Sequence, residues 1–128
     1  MKWVLDASAV LAVLQAERGQ EEVLPHLRGG VISAVNYAEI LKKSAEHGSP
    51  VERTCQVLAP FTLLVVPFDR EQAMVSASFW PASRQHGLSF ADRACLALAQ
   101  TRAAGILTAD TSMSQAQIGI VVKHIRQG

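Results

Sequence analysis

The sequence has only two cysteines, Cys55 and Cys95, too few for the disulfide framework that staples small secreted folds. Cys95 lies in the apolar run from Ala94 to Ala99 and reads as a small buried hydrophobe. A reducing, cytoplasmic compartment is therefore expected. No stretch is apolar and uncharged for long enough to cross a bilayer as a helix, so no membrane association is expected. The opening Met1-Lys2-Trp3-Val4-Leu5-Asp6 meets an acid too early for a secretory leader. The four histidines, His26, His47, His86 and His124, are scattered and give no zinc-ligand spacing. Repeats, low-complexity tracts and linkers are also missing. Net charge is small, formally +1, and such a sum neither favours nor excludes nucleic acid, because it hides where the charges stand.

What the chain does have is apolar residues, 49% of its 128, with 18% charged. That is enough for one hydrophobic core and too little for two, so a single domain over residues 1–128 is expected. Short apolar runs alternate with longer helical patterns. Trp3-Val4-Leu5 reads as a first strand and Val31-Ile32 as a second, behind Gly29-Gly30. Leu63-Leu64-Val65-Val66 is the third, Ile106-Leu107-Thr108 the fourth, and Ile118 to Val122 the fifth, running into the polar Lys123-His124.

Helices are predicted over Ala9 to Gln15, closing near Gly19, and over Asn36 to Glu46, stopped by Gly48. Ser49-Pro50-Val51-Glu52 has a capping-box pattern opening a helix that ends by Pro60. Asp69 caps a helix running to about Trp80 and stopped by Pro81; Ser89 caps another running to Ala104 and ended by Gly105. Strands alternating with helices give βα units, hence an α/β fold with a parallel sheet covered on both faces. The continuous apolar run Leu63–Val66 predicts a strand buried on both sides. In such open sheets ligands bind beyond the carboxyl ends of the strands.

Acids gather at that edge. The first strand runs straight into Asp6, and the fourth runs within two residues into Asp110. The helix capped by Ser89 returns antiparallel to the sheet, so its first turn, with Asp92, lies at the same edge. Glu39 is in the early turns of the helix after the second strand. Each has a local explanation: Asp6 and Asp110 as N-caps, Asp92 as a first-turn acid, Glu39 as the partner of Lys43 one turn on. Four of only eleven acids at one edge strain those explanations taken together. Clustered carboxylates resist ionisation beside one another, and a hard divalent cation such as Mg²⁺ or Mn²⁺ removes that cost.

The segments VLDASAVLAVL (Val4–Leu14), AVNYAEIL (Ala34–Leu41), LSFADRACLALA (Leu88–Ala99) and LTAD (Leu107–Asp110) resemble the PIN domain family, and within it the VapC group, the ribonuclease toxins of type II toxin–antitoxin pairs. The resemblance covers essentially the whole chain. It implies a three-layer α/β/α domain whose five-stranded parallel sheet has the order 3-2-1-4-5. It matches Asp6, Glu39, Asp92 and Asp110 to the family's catalytic acidic quartet, with Asp6, Asp92 and Asp110 holding Mg²⁺ or Mn²⁺. Ser8 and Thr108 fit the positions of accompanying hydroxyls. Further implications are hydrolysis of RNA phosphodiester bonds, a cognate antitoxin that inserts into the active-site groove, and a homodimer. One departure is Thr111-Ser112-Met113 after Asp110, where relatives often carry Arg or a large aromatic. Another is that no acid follows Asp110, which bears on whether two ions are held.

Arg93, beside Asp92, is a candidate contact for an RNA phosphate or a neighbouring carboxylate. Lys42, Lys43, Arg84, Lys123 and Arg126 are weaker candidates, since a solvated face is the ordinary state of such residues. Phe79 and Trp80 read as core or subunit interface before they read as a base-stacking platform, and with Phe61 and Leu63–Val66 they motivate the homodimer. Other readings of the acids are an Asp-nucleophile phosphatase and a receiver domain. The first wants a second Asp where Ser8 stands; the second wants an acid adjacent to Asp6. A PIN-like module that only binds RNA or protein is the non-enzymatic alternative, against which the complete quartet speaks.

Overall fold

The computed structural model describes residues 2–116 and 118–126. Its strands are β1 (Trp3–Leu5), β2 (Val31–Ser33), β3 (Leu64–Val66), β4 (Gly105–Thr108) and β5 (Val122–His124). All pair in parallel, in the order β3-β2-β1-β4-β5, as the resemblance implied. β1 and β4 are adjacent, with Leu5 opposite Leu107. Asp6 and Thr108 therefore leave the sheet side by side.

The helices are α1 (Ala7–Leu14), α2 (Gln20–Leu27), α3 (Ala34–Glu46), α4 (Val51–Leu58), α5 (Arg70–Ser78), α6 (Trp80–His86), α7 (Phe90–Thr101) and α8 (Thr111–Gln115). Successive strand residues face opposite ways, and the two central strands divide accordingly. Leu5 and Leu107 enter one core with Val10, Val23, Leu27 and Ile40. Val4 and Ile106 enter the other with Cys95, Leu96, Leu98 and Met113. Each core glues a layer of helices to the sheet, and the burial of such side chains is worth roughly 1.5–3 kcal/mol each.

Several expectations need correction. β3 is an edge strand, and Leu64 and Val65 are 48% and 36% exposed, so the apolar run is not buried on both faces. β5 begins at Val122, not Ile118. Ile118 and Ile120 instead pack on the second core, while Val122, Lys123 and His124 pair with Ile106, Leu107 and Thr108. The capping box at Ser49 does not form: α4 is opened by Pro50, and Ser49 Oγ bonds Thr54 Oγ1 at 3.1 Å. Pro50 holds an extended backbone, which leaves Ser49 one residue too far from the helix to cap it. Pro81 does not end structure; it sits in the first turn of α6, where its missing N–H costs nothing. α2, α6 and α8 were not expected as helices. Phe79 is buried, which leaves Trp80 as the exposed member of that pair.

Candidate active site

β1 carries Asp6 to the carboxyl edge and β4 carries Thr108 beside it. Asp6 is only 4% exposed. Its Oδ2 accepts two hydroxyl hydrogen bonds of 2.7 Å, from Ser8 Oγ and from Thr108 Oγ1. Each hydroxyl also accepts a backbone N–H from the segment that leaves β4. Ser8 Oγ takes the Ala109 N–H at 2.8 Å, and Thr108 Oγ1 takes the Asp110 N–H at 2.9 Å. The Asp6 N–H donates to the Leu107 carbonyl at 3.0 Å. The patterns Asp6-x-Ser8 and Thr108-x-Asp110 are thus two halves of one lattice, which fixes the positions of both acids.

Asp110 caps α8, its Oδ1 accepting the Ser112 N–H at 2.8 Å. Asp92 closes a capping box on α7: Ser89 Oγ accepts the Asp92 N–H at 3.1 Å, and Asp92 Oδ2 accepts the Ser89 N–H at 2.9 Å. The local explanations for these two acids therefore hold. Asp6 stands at the N-cap of α1 but makes no side-chain cap bond, so that explanation fails for it. Glu39 reaches Lys43 one turn on at 3.9 Å, a loose ion pair.

All four acids line one cleft of about 570 Å³. Burial raises the Asp6 carboxyl above its usual range, against the two hydroxyl bonds that lower it, with Asp110 adding to the rise. Burial likewise raises Glu39; Lys43 opposes this and Asp6 adds to it. Asp92 is pushed up to about 6, again mainly by burial, with Asp6 and Asp110 contributing and the Ser89 N–H opposing. Cys95, buried one turn along α7 from Asp92, is held well above the normal thiol range by its surroundings and the nearby acids. It is a small buried hydrophobe of the second core, as its sequence position suggested.

These acids suit a hard cation in number and chemistry. In the hydrogen bonds above, each Asp spends one oxygen on the fold, and Asp6, Glu39 and Asp92 are each perturbed by a neighbouring acid. As placed, no three such groups among the described residues stand close enough to close on one ion. Any ion would be held in part by water, as is usual for Mg²⁺.

Arg93 does not line the cleft. Its guanidinium lies 5.7 Å from the Trp80 ring and 5.9 Å from the Phe90 ring, a cation–π arrangement on the outside of α7. Of the other basic candidates Lys43 and Arg126 line the cleft, and both are tied to acids: Lys43 to Glu39, Arg126 to Glu17 at 3.3 Å. Lys42 and Lys123 pair with Glu46 and Glu22. Sequence reasoning missed Glu17, His47 and Asn36. Asn36 is fully buried and donates from Nδ2 to the Ala91 carbonyl at 3.1 Å, which locks α3 to the first turn of α7 and so Glu39 to Asp92. The signal was available: a polar residue three positions before Glu39, among apolar neighbours.

The PIN domain family model matches residues 3–119. No curated protein matches by sequence. Solved structures do match in fold. A toxin–antitoxin complex from Klebsiella pneumoniae aligns with a TM-score of 0.72 at 18% identity, over 94% of this chain and 96% of that one. DNA-bound VapBC from Salmonella typhimurium gives 0.70 at 18%, over 96% and 97%. FitAcB from Neisseria gonorrhoeae gives 0.69 at 22%, over 96% and 97%.

Proposed function

The chain belongs to the PIN domain family, and we propose that it is a metal-dependent endoribonuclease acting as the toxin of a toxin–antitoxin pair. The observation that carries this reading is the convergence of Asp6, Glu39, Asp92 and Asp110 on one cleft at the carboxyl edge of the sheet. In the proposal Asp6, Asp92 and Asp110 hold Mg²⁺ or Mn²⁺ and Glu39 completes the catalytic set. When bound, such an ion turns water into a nucleophile and stabilises charge on a phosphoryl oxygen.

The protein's own part is placement. Ser8 and Thr108 hold the Asp6 carboxylate in one orientation, and the capping box holds Asp92. Apolar packing of α7 keeps that first turn rigid. Arg93, braced on Trp80 and Phe90 one residue from Asp92, is the proposed contact for RNA outside the cleft. Two of the structures similar in fold, from K. pneumoniae and S. typhimurium, are described as a toxin–antitoxin complex and as VapBC. This supports an antitoxin as partner, and the gene beside this one is the place to find it. Among the described residues no helix is long and apolar enough to cross a membrane; the cytoplasm is the proposed location. A homodimer is proposed from the exposed apolar residues Leu64, Val65 and Trp80.

The decisive experiment is cleavage of an end-labelled RNA with Mg²⁺ or Mn²⁺. Asp6→Asn should abolish it while the protein remains folded. Full cleavage by that variant, or cleavage undiminished by chelator, overturns the reading.

A further inference from the structure

We propose a second ligand site at the opposite, amino-terminal edge of the sheet: a groove that takes a phosphorylated nucleoside. Its volume is about 750 Å³, larger than the acidic cleft and within the usual range for small-molecule sites. Three cations meet there. Lys2 precedes β1, Arg28 follows α2, and Arg102 follows α7. The apolar residues of α2 and α7 enter different cores, on opposite faces of the sheet, so two arginines reach the same groove from both sides.

Among the described residues no acid lines this groove, whereas Asp6, Glu17, Glu39, Asp92 and Asp110 line the cleft at the other edge. A chain of nearly zero net charge is thus polarised along its strands, which a formal sum cannot show. Among the described residues none of Lys2, Arg28 and Arg102 is in an ion pair, while Lys42, Lys43, Lys123 and Arg126 all are. A cation after a helix complements the negative end of its dipole. That accounts for Arg28 and Arg102 one at a time, but not for Lys2 or for the missing acids.

The groove also has shape. Arg28 Nη1 donates to the Pro60 carbonyl at 3.0 Å. This steadies the planar fork, whose remaining N–H groups suit phosphate oxygens. Trp3, half-buried in the wall, meets the exposed His26 edge-on, with ring centroids 6.3 Å apart and planes at 60°. Aromatic rings beside a cationic patch are the pairing that a base and its phosphate require. Gly29 and Gly30 border the groove with backbone alone. The shared chemistry is a phosphorylated nucleoside, either free or as one residue of an RNA strand. The proposal does not rest on the nuclease reading.

The test uses the full chain, isotopically labelled, in chelator, so that no cation bridges ligand to the acidic cleft. AMP and a short 5′-phosphorylated oligoadenylate are titrated separately and in competition, with amide shifts as the readout. Saturable shifts are expected at residues 2–4, 28–31 and 101–105. Arg28→Ala with Arg102→Ala should weaken binding about tenfold or more, while Asp6→Asn should leave it unchanged. Both arginines are exposed, and unshifted amides elsewhere would show that the double variant folds. Binding of AMP alone assigns the groove to free nucleotides, of oligoadenylate alone to an RNA strand, and mutual competition to both. The absence of saturable shifts up to about 10 mM, the weak end of specific binding, overturns the proposal. So do shifts confined to the acidic cleft, unchanged affinity in the double variant, or selective binding of an acidic peptide.

Discussion

Replacing Asp92 by Asn separates what the fold asks of this residue from what the site asks. Asp92 is 8% exposed, and its carboxyl is pushed up from 3.8 to about 6. The folded state therefore holds this proton to a higher pH than the unfolded chain does. Stability contributed by the neutral form is fully present below about pH 4 and is lost as pH rises through about 6. At about 1.36 kcal/mol per pH unit the face value is about 3 kcal/mol. The cleft is open to water and salt, so about 1–1.5 kcal/mol is the realistic cost of ionisation. Asn escapes that cost. It keeps an acceptor for the Ser89 N–H but gives up the charge at the helix N-terminus, worth about 0.3–1 kcal/mol. In chelator at pH 8 the variant should be more stable by about 0.5–1 kcal/mol, a Tm gain of roughly 2–4 °C for a chain of this length. At pH 4 the gain should vanish. Adding Mn²⁺ should reverse the order, because a ligand at a hundred times its Kd stabilises the wild type by about 2.7 kcal/mol. Thermal unfolding across pH 4–8, with and without Mn²⁺, reads all three. A variant less stable than wild type in chelator at pH 8 refutes the desolvation argument, and equal Mn²⁺-induced shifts in both proteins refute Asp92 as a ligand.

Thr108→Val keeps the shape of the side chain but removes one donor to Asp6 and leaves the Asp110 N–H without its acceptor. A loss of about 1–3 kcal/mol is expected by denaturant unfolding. Because the Thr108 bond lowers the Asp6 pKa, the rising limb of the cleavage pH profile should also move to higher pH; an unmoved limb would mean that the hydroxyl only packs. Gly30→Ala would place a Cβ 2.6 Å from Leu5 Cδ1 and 2.8 Å from the His26 carbonyl. Since backbone cannot yield cheaply, about 1–3 kcal/mol should be lost, and a neutral result would show that the turn relaxes. The isolated chain should scatter light as a dimer at micromolar concentration, and Leu64→Lys on the exposed edge strand should shift it toward monomer. A monomeric wild type ends that proposal.

How much of this was legible depended on the length of each signal. β1 and β4 are buried central strands, so their apolar runs end sharply at Asp6 and near Asp110; that the two lie side by side came from the family resemblance, not from the runs themselves. α7 carries seven buried residues and its cap, and was read almost to its ends. By contrast α2 buries only Val23 and Leu27, one turn apart, with Pro25 between them. α8 has five residues, of which Met113 alone is buried. Neither holds a periodic stripe long enough to see. β3 failed differently: its apolar run is real, but it lies at the sheet edge. No local pattern says whether another layer covers an edge strand. The acids of the site were legible as types at strand ends, but the hydroxyl lattice that positions them was not, because it joins Ser8 to Thr108 across a hundred residues.

That lattice explains how so acidic a cleft is kept in a stable fold. Bringing such acids together costs desolvation and mutual repulsion, and burial heads the causes of the raised Asp6, Glu39 and Asp92 carboxyls. The fold offsets this cost with neutral hydrogen-bond donors, not with buried cations. Two hydroxyls serve Asp6, a backbone N–H serves Asp92 and another serves Asp110. Lys43 and Arg126, the arginine or lysine residues in the cleft, stay at its wall on Glu39 and Glu17. An arginine placed among the four acids would have stabilised them more, but it would also have filled the space that a hard cation needs. Each aspartate is instead held through one oxygen by a neutral donor. In the proposed reading, the space between them is left for a hard cation from solution.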